Sequence, residues 1–211
     1  MNPVSLLNVD FEATIPPQLE AMRWFWRDAV IHPADELNSA VTPYLSEIRK
    51  VFANGGAEFA AFHIAPHPVF EFYGSRNTLD RPYFFEDLLK RPEVLPYLKS
   101  AQQRKPNTVR FQYAPVSAFD FDGLLAGTLF YGGAYNRFAG TPSEAKRIGN
   151  DFASVLFQER YDEVAIYSFL YAMPDGAPWS NWFHDVAWDF AYVGVDKRFR
   201  HVWFLCMTDT D

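Results

Sequence analysis

Apolar side chains dominate two neighbouring runs near the end of the chain, residues 187–195 and 201–208, which predict a strand each. Successive side chains of a strand point to opposite sides of a sheet, so each run has two faces. Both faces of both runs are largely apolar, which is typical of a sheet that is covered on its two sides. The segment between them, residues 196–200, is short and polar and predicts an antiparallel hairpin.

Apolar side chains three and four positions apart predict helices in the first part of the chain. Residues 15–32 form one such segment and residues 34–53 another, which residues 54–56 (NGG) would end. Pro43 lies inside the second segment and has no N–H to donate, so we expect a break there, with Thr42 beginning a new helix. The predicted buried face of the first helix consists of Leu19, Met22, Trp26 and Val30.

The middle of the chain is interrupted by prolines. Residues 58–74 predict a strand, a turn at the prolines and a second short strand, and residues 81–105 predict two short helices with a proline in each first turn. Residues 108–113 are β-branched and aromatic, which favours a strand, and a further short strand is predicted at residues 6–11. Residues 114–138 show no pattern that assigns them.

The next helix has a clear start. Thr141 can accept a hydrogen bond from the amide of Glu144, whose side chain can reach back to the amide of Thr141, which is a capping box. Residues 161–173 then predict a strand. The apolar face predicted for the capped helix consists of Ala145, Ile148, Phe152 and Val155.

Together these elements predict an α+β fold. N-terminal and middle helices are expected to pack on a mainly antiparallel sheet that includes the C-terminal β-hairpin. No linker rich in Pro, Gly or Ser interrupts the chain, so residues 1–211 are expected to form a single domain.

Composition narrows the class of protein. Aromatic residues make up 18% of the chain, enough for an aromatic-rich core, and the net charge of -7 argues against nucleic acid as a partner. Residues 76–110 are net basic, which fits a solvated helical surface or a face for an anionic partner. No signal peptide and no apolar run of about 20 residues is present, so we expect a cytoplasmic protein that does not bind membranes.

Most sequence signatures of catalysis are missing. The chain has no glycine-rich dinucleotide or P-loop motif, no zinc-protease helix motif and no serine nucleophile elbow, so no cofactor is predicted and enzymatic activity stays an open question. The one cysteine, Cys206, lies in an apolar run, where its thiol is expected to be inert.

Three short motifs have both a chemical and a structural interpretation. His63 and His67 would bind a metal if a turn brought them together, but prolines around them favour turn histidines beside the end of a strand. Residues 132–137 (GGAYNR) predict a loop, in which Arg137 would suit an anion. Residues 120–123 (DFDG) favour a turn over a paired-carboxylate site.

Acidic residues gather at one end of the predicted hairpin. Asp189 interrupts an apolar strand face, His184 and Asp185 precede it, and Asp209 and Asp211 follow the partner strand. Crowded carboxylates need a cation, a basic partner, protonation or solvent. The cluster would therefore be a divalent-metal or acid/base site, a patch that docks a basic surface, or a set of aspartates that cap turns at the end of the sheet.

The functional hypothesis that follows is a non-catalytic acidic binding protein. It would dock a basic protein partner by charge complementarity, as immunity-type proteins do, with His184, Asp185, Asp189, Asp209 and Asp211 as candidate binding residues. The alternatives are a metal-assisted hydrolase or a small-molecule-binding domain that uses the same cluster. The sequence does not indicate which metal such a site would hold or the oligomeric state.

Overall fold

The computed structural model describes residues 15, 18–106 and 110–211. Its helices are α1 (Gln18–Asp28), α2 (Asp35–Ala40), α3 (Thr42–Val51), α4 (Pro68–Ser75), α5 (Phe84–Leu88), α6 (Lys99–Gln102), α7 (Ala118–Tyr131) and α8 (Pro142–Phe157). Its strands are β1 (Ile31–Pro33), β2 (Gly56–Ile64), β3 (Arg110–Phe111), β4 (Ala114–Val116), β5 (Val164–Ser168), β6 (Tyr171–Met173), β7 (Ala177–Pro178), β8 (Phe190–Asp196) and β9 (His201–Thr208).

A six-stranded sheet in the order β1-β2-β9-β8-β5-β4 forms the middle layer, and all its neighbouring strands are antiparallel. β8 and β9 form the predicted hairpin, with Phe190 opposite Met207 and Asp196 opposite His201. A smaller antiparallel sheet contains β3, β6 and β7. The predicted fold class, α+β with helices packed on a mainly antiparallel sheet and a C-terminal hairpin, is confirmed.

Helices cover both faces of the large sheet, as the two-sided apolar strands predicted. Val193, Val202 and Phe204 face an aromatic-rich core that contains side chains of α1, α4, α5 and α6. Tyr192 and Trp203 face a second core that contains side chains of α2, α3, α7 and α8. Successive side chains of β8 and β9 therefore point into different cores.

Two local signals also gave the right structure. The chain breaks between α2 and α3, and Pro43 lies in the first turn of α3, where a missing N–H has no cost. α8 begins with the predicted capping box, in which Thr141 and Glu144 exchange side-chain to backbone hydrogen bonds. These signals succeed because both depend on residues that are close in sequence.

Other predictions were wrong. Residues 68–75 form α4 instead of a strand, because His67 accepts the amide of Val69 as an N-cap and Pro68 occupies the first turn. Residues 120–123 lie inside α7 instead of a turn. The first helix ends at Asp28, and it buries Ala21, Met22 and Phe25, whereas Leu19 and Val30 are exposed.

Strand boundaries differ from the prediction in two further places. β8 begins at Phe190, so residues 187–189 precede the strand. Residues 161–173 contain two strands that belong to different sheets, because the chain leaves the large sheet after β5. The predicted strand at residues 6–11 lies outside the described residues, as do residues 108 and 109 of the strand predicted at 108–113.

Candidate functional site

Asp189 lies directly before β8, and its carboxylate is buried and fully engaged. Oδ2 accepts the backbone amides of His184 at 2.9 Å and Val186 at 3.1 Å, and Oδ1 accepts the hydroxyl of Thr208 at 2.5 Å. The carboxylate thus closes the turn that precedes β8 and fastens it to the end of β9. These bonds explain how a buried carboxylate is tolerated beside an apolar strand.

Asp209 follows β9 and is also buried, but its partners come from distant segments. Oδ1 accepts the amide of Asn54 and Oδ2 accepts the amide of Ala134, both at 2.8 Å. Asp209 therefore connects the loop after α3 with the loop after α7. One backbone amide thus satisfies each oxygen of this buried carboxylate.

The other predicted residues are exposed. His184 and Asp185 lie on the turn that Asp189 closes, and Asp185 adopts a left-handed backbone conformation with φ 60°. Asp211 lies two residues beyond Asp209 and is exposed as well. The end of the hairpin where β8 begins and β9 ends, which we call the open end, therefore combines two buried, hydrogen-bonded carboxylates with an exposed rim.

The positions of these acidic side chains bear on whether the open end could bind a metal ion. In the part of the chain that the structure describes, no three His, Cys, Asp or Glu side chains are grouped so that they could hold a metal ion. The oxygens of Asp189 and Asp209 already accept hydrogen bonds from the protein. Asp189 binds two backbone amides and one hydroxyl, and Asp209 binds two backbone amides.

Two more buried carboxylates also accept hydrogen bonds from backbone amides, and sequence analysis did not identify them. Glu58 accepts the amides of Lys99 and Ser100 at the start of α6. Glu86 accepts the amide of Phe111 at 2.8 Å and the hydroxyl of Tyr113 at 2.9 Å. Burial raises the pKa of both glutamates, although their hydrogen bonds act in the opposite direction.

The opposite end of the hairpin, which we call the turn end, contains Asp196 and a row of histidines. Asp196 Oδ1 accepts the amides of Arg198 and Phe199 and closes the turn. His201 lies opposite His63 on β2, and the two rings are 5.7 Å apart. His63 in turn lies opposite His32 on β1, so three histidines cross three adjacent strands.

Burial lowers the pKa of both His63 and His201. Charge on His201, Arg200 and His32 lowers the pKa of His63 further, while Glu36 raises it. Glu36 also raises the pKa of His201, and Arg200 lowers it. His63 therefore belongs to this row, whereas His67 caps α4, so the two histidines of the sequence motif do not form a pair.

Cys206 is fully enclosed between the strands, and burial raises the pKa of its thiol well above the usual value. This agrees with the prediction of an inert thiol.

A groove beside the open end was not predicted. We define the outer groove as the hollow of about 450 Å³ whose apolar wall is formed by Leu124, Gly127, Tyr131, Trp188 and Phe190. α7 is mostly apolar, yet its outer side is uncovered, with Leu124 43% and Tyr131 73% exposed. The available signal was the composition of residues 118–131, which contain only two charged side chains, Asp120 and Asp122.

None of the described helices combines the length and apolar character needed to cross a bilayer. The chain matches no known protein family, and no curated protein is significantly similar to it.

Proposed function

We propose that this protein is a non-catalytic binding protein that docks a basic protein partner at the open end of its hairpin. The outer groove would receive apolar side chains of the partner, and the exposed acidic residues beside it would pair with the partner's Lys and Arg. The single observation that carries the proposal is the uncovered apolar side of α7.

An apolar surface that stays in contact with water is costly, so a contiguous one marks a binding surface. Leu124 and Tyr131 project from α7, and Gly127 between them leaves open space, since an added Cβ would meet nothing within 4 Å. Trp188 and Phe190 form the facing wall. Aromatic side chains around an apolar centre are typical of the core of a protein interface.

Two exposed aspartates beside the outer groove support a basic partner. Asp185 precedes the wall residue Trp188 by three positions, and Asp120 lies one turn before Leu124; both are exposed and take part in no ion pair among the described residues. The whole chain carries a net charge of -7. Complementary charge accelerates association and selects against partners of the same sign.

The internal bonds of Asp189 and Asp209 support binding over catalysis. A general base or metal ligand needs a free lone pair that points toward the substrate or ion. Both carboxylates instead hold loops, which would give the docking surface a fixed shape and reduce the entropy lost on binding.

A photo-crosslinking amino acid at position 124 tests the proposal in the native host. The matched control position is Leu19, which is 68% exposed on α1 at the opposite face of the sheet. We expect an adduct with a basic protein at position 124 and none at position 19. An acidic adduct, the same adducts at both positions, or none at position 124 would overturn the proposal.

The purified partner then allows a quantitative test. Asp185→Lys should weaken binding about tenfold, and Trp188→Ala should weaken it further by removing an aromatic anchor. The control is Asp175→Lys, which makes the same charge change at an exposed residue in the turn between β6 and β7. Equal binding by the Asp185→Lys and Asp175→Lys variants would show that charge at the open end does not guide docking.

A further inference from the structure

We propose that a second hollow, separate from the outer groove, binds a small aromatic anion, with Arg137 as its anion-binding group. This cleft has a volume of about 780 Å³ and lies between α3, the start of α8 and the loop of residues 132–140. Its size suits a small organic ligand. Arg137 lies on the wall that the cleft shares with the outer groove.

Hydrogen bonds hold the part of the loop that carries Arg137. The amide of Ala134 donates to the buried carboxylate of Asp209 at 2.8 Å, and the side-chain amide of Asn136 donates to the carbonyl of Lys50 at 3.0 Å. The Arg137 guanidinium donates to the carbonyl of Gly133, and the amide of Gly133 donates to the carbonyl of Asn136. An exposed loop with this many bonds presents its arginine in one place before any ligand arrives.

The two glycines of the loop are required by this arrangement. Gly132 has φ 72°, a left-handed conformation that other residues rarely adopt. Gly133 has no such angle, but a Cβ there would lie 2.0 Å from Asp209 Oδ2. Asp209 is therefore a positioning residue for the loop. It brings the acidic cluster of the sequence into contact with the glycine motif.

Arg137 is the cation of the cleft that lacks an acidic partner within the described residues. Lys50 pairs with Glu47 at 2.6 Å, and Arg147 pairs with Asp151 at 2.8 Å. Oε2 of Glu144 accepts the amide and the hydroxyl of Thr141. The Arg137 guanidinium keeps donors for an oxygen anion, and its planar fork matches a carboxylate or a phosphate.

Aromatic rings beside Arg137 define the rest of the ligand. Tyr135 is 68% exposed and Phe138 is half-buried, and both line the cleft. An exposed tyrosine on a fixed loop offers a flat apolar face for stacking. The ligand class is therefore an aromatic ring that carries a terminal carboxylate or phosphate group.

Titration with phenyl phosphate and benzoate, followed by amide chemical shifts of residues 133–140, tests the inference. We expect saturable shifts in the wild-type protein and about tenfold weaker binding in Arg137→Gln, because a charged hydrogen-bonding group is lost. Lys146→Gln is the matched control, since it removes the same charge from a residue outside the cleft that pairs with Asp122. No saturable binding of either anion, or equal weakening by both variants, would overturn the inference.

Two further compounds test separately the recognition of the anion and of the aromatic ring. Benzylamine has the ring with the opposite charge, and inorganic phosphate has the anion without the ring. Benzylamine that binds as tightly as benzoate would refute anion recognition, and inorganic phosphate that binds as tightly as phenyl phosphate would refute the aromatic requirement. Tyr135→Ala should weaken phenyl phosphate but not inorganic phosphate. Partner docking uses different variants, Asp185→Lys and Trp188→Ala, so either proposal can fail alone.

Discussion

The two ends of the β8–β9 hairpin differ in the polar residues that they contain. At the open end, Asp189 and Asp209 are buried and accept five hydrogen bonds from the surrounding loops and strand. At the turn end, Asp196 closes the turn, but His63 and His201 face each other as half-exposed rings. The open end is held together by hydrogen-bonded carboxylates, and the turn end contains two histidines whose pKa values are lowered by burial.

The comparison shows that an acidic cluster and a histidine cluster have different structural meanings. A carboxylate that accepts several amides organises backbone over long distances and leaves little capacity for an external ligand. A histidine row without such partners changes its charge with pH and leaves the backbone unchanged. The effects of substitutions on stability should therefore differ between the two ends, both in magnitude and in pH dependence.

The largest expected effect is at Asp209. In Asp209→Asn one of the two carboxylate oxygens becomes an amino group, which would face a backbone N–H instead of accepting it. A buried donor without an acceptor should cost about 2–3 kcal/mol of unfolding free energy. In Asp189→Asn the amide oxygen can still accept the two backbone amides, while the amino group donates to the Thr208 hydroxyl.

Asp189→Asn should consequently cost less than about 1 kcal/mol. Urea denaturation of both variants measures the difference, with Asp189→Ala as the variant that removes all three bonds at that site. Similar losses for the two Asn variants would show that the donors are arranged differently from the structure.

A substitution at Gly133 tests the open end by changing the shape of the packing instead of a charge. An added methyl group would meet Asp209 Oδ2 at 2.0 Å, so Gly133→Ala must displace either the loop or the carboxylate. We expect a loss of about 1–3 kcal/mol, the usual cost of overpacking. Gly127→Ala is the control: nothing lies within 4 Å of its Cβ, and alanine should stabilise the middle of α7 by about 0.5–1 kcal/mol. Thermal unfolding of both variants checks the opposite signs.

The difference between Asp189 and Asp209 also explains what the sequence could reveal. The backbone donors to Asp189 are five and three residues away, and its hydroxyl donor is in the predicted partner strand, so a turn-capping role could be foreseen. The donors to Asp209 are 155 and 75 residues away, in loops that no local pattern brings together. A carboxylate of this kind cannot be distinguished by sequence from an exposed one.

The same distinction between local and distant interactions explains which parts of the fold were predictable. The apolar runs of the β8–β9 hairpin and the capping box of α8 are local signals, and both predictions were confirmed. α4 was missed because its aromatic and β-branched side chains favour a strand, while the decisive cap is a single histidine, His67. α7 was missed because its apolar side chains have no helical periodicity, which is also why it leaves an apolar outer side.

The pH dependence of stability tests the turn end. The pKa of His63 and His201 is lowered in the folded protein, so below about pH 6.5 the unfolded chain binds more protons than the folded one. Their contribution to stability is therefore present above this pH and is lost as the pH falls through their folded pKa values. Glu58, Glu86 and Asp196 act in the opposite direction, because their pKa values are raised.

The histidine contribution can be isolated by comparing variants. The double variant His63→Gln and His201→Gln should lose less stability than the wild type between pH 7 and pH 5, since the two histidines whose protonation disfavours the folded state are absent. His184→Gln is the control, because His184 is an exposed histidine at the open end. Identical pH profiles for the wild type and the double variant, measured by denaturation at each pH, would refute a titratable turn end.

The smallest effects are expected at the exposed aspartates of the open end, although they lie close in sequence to the buried ones. Asp185→Gly should change stability by less than about 0.5 kcal/mol, in the stabilising direction, because φ is 60° and glycine adopts this angle without strain. Asp211→Ala should be neutral within the same limit, since Asp211 is exposed. Equilibrium unfolding can resolve these changes from the larger losses at Asp209. A large loss in either variant would mean that the exposed rim also holds the loops, and the division between a structural interior and a free binding surface would fail.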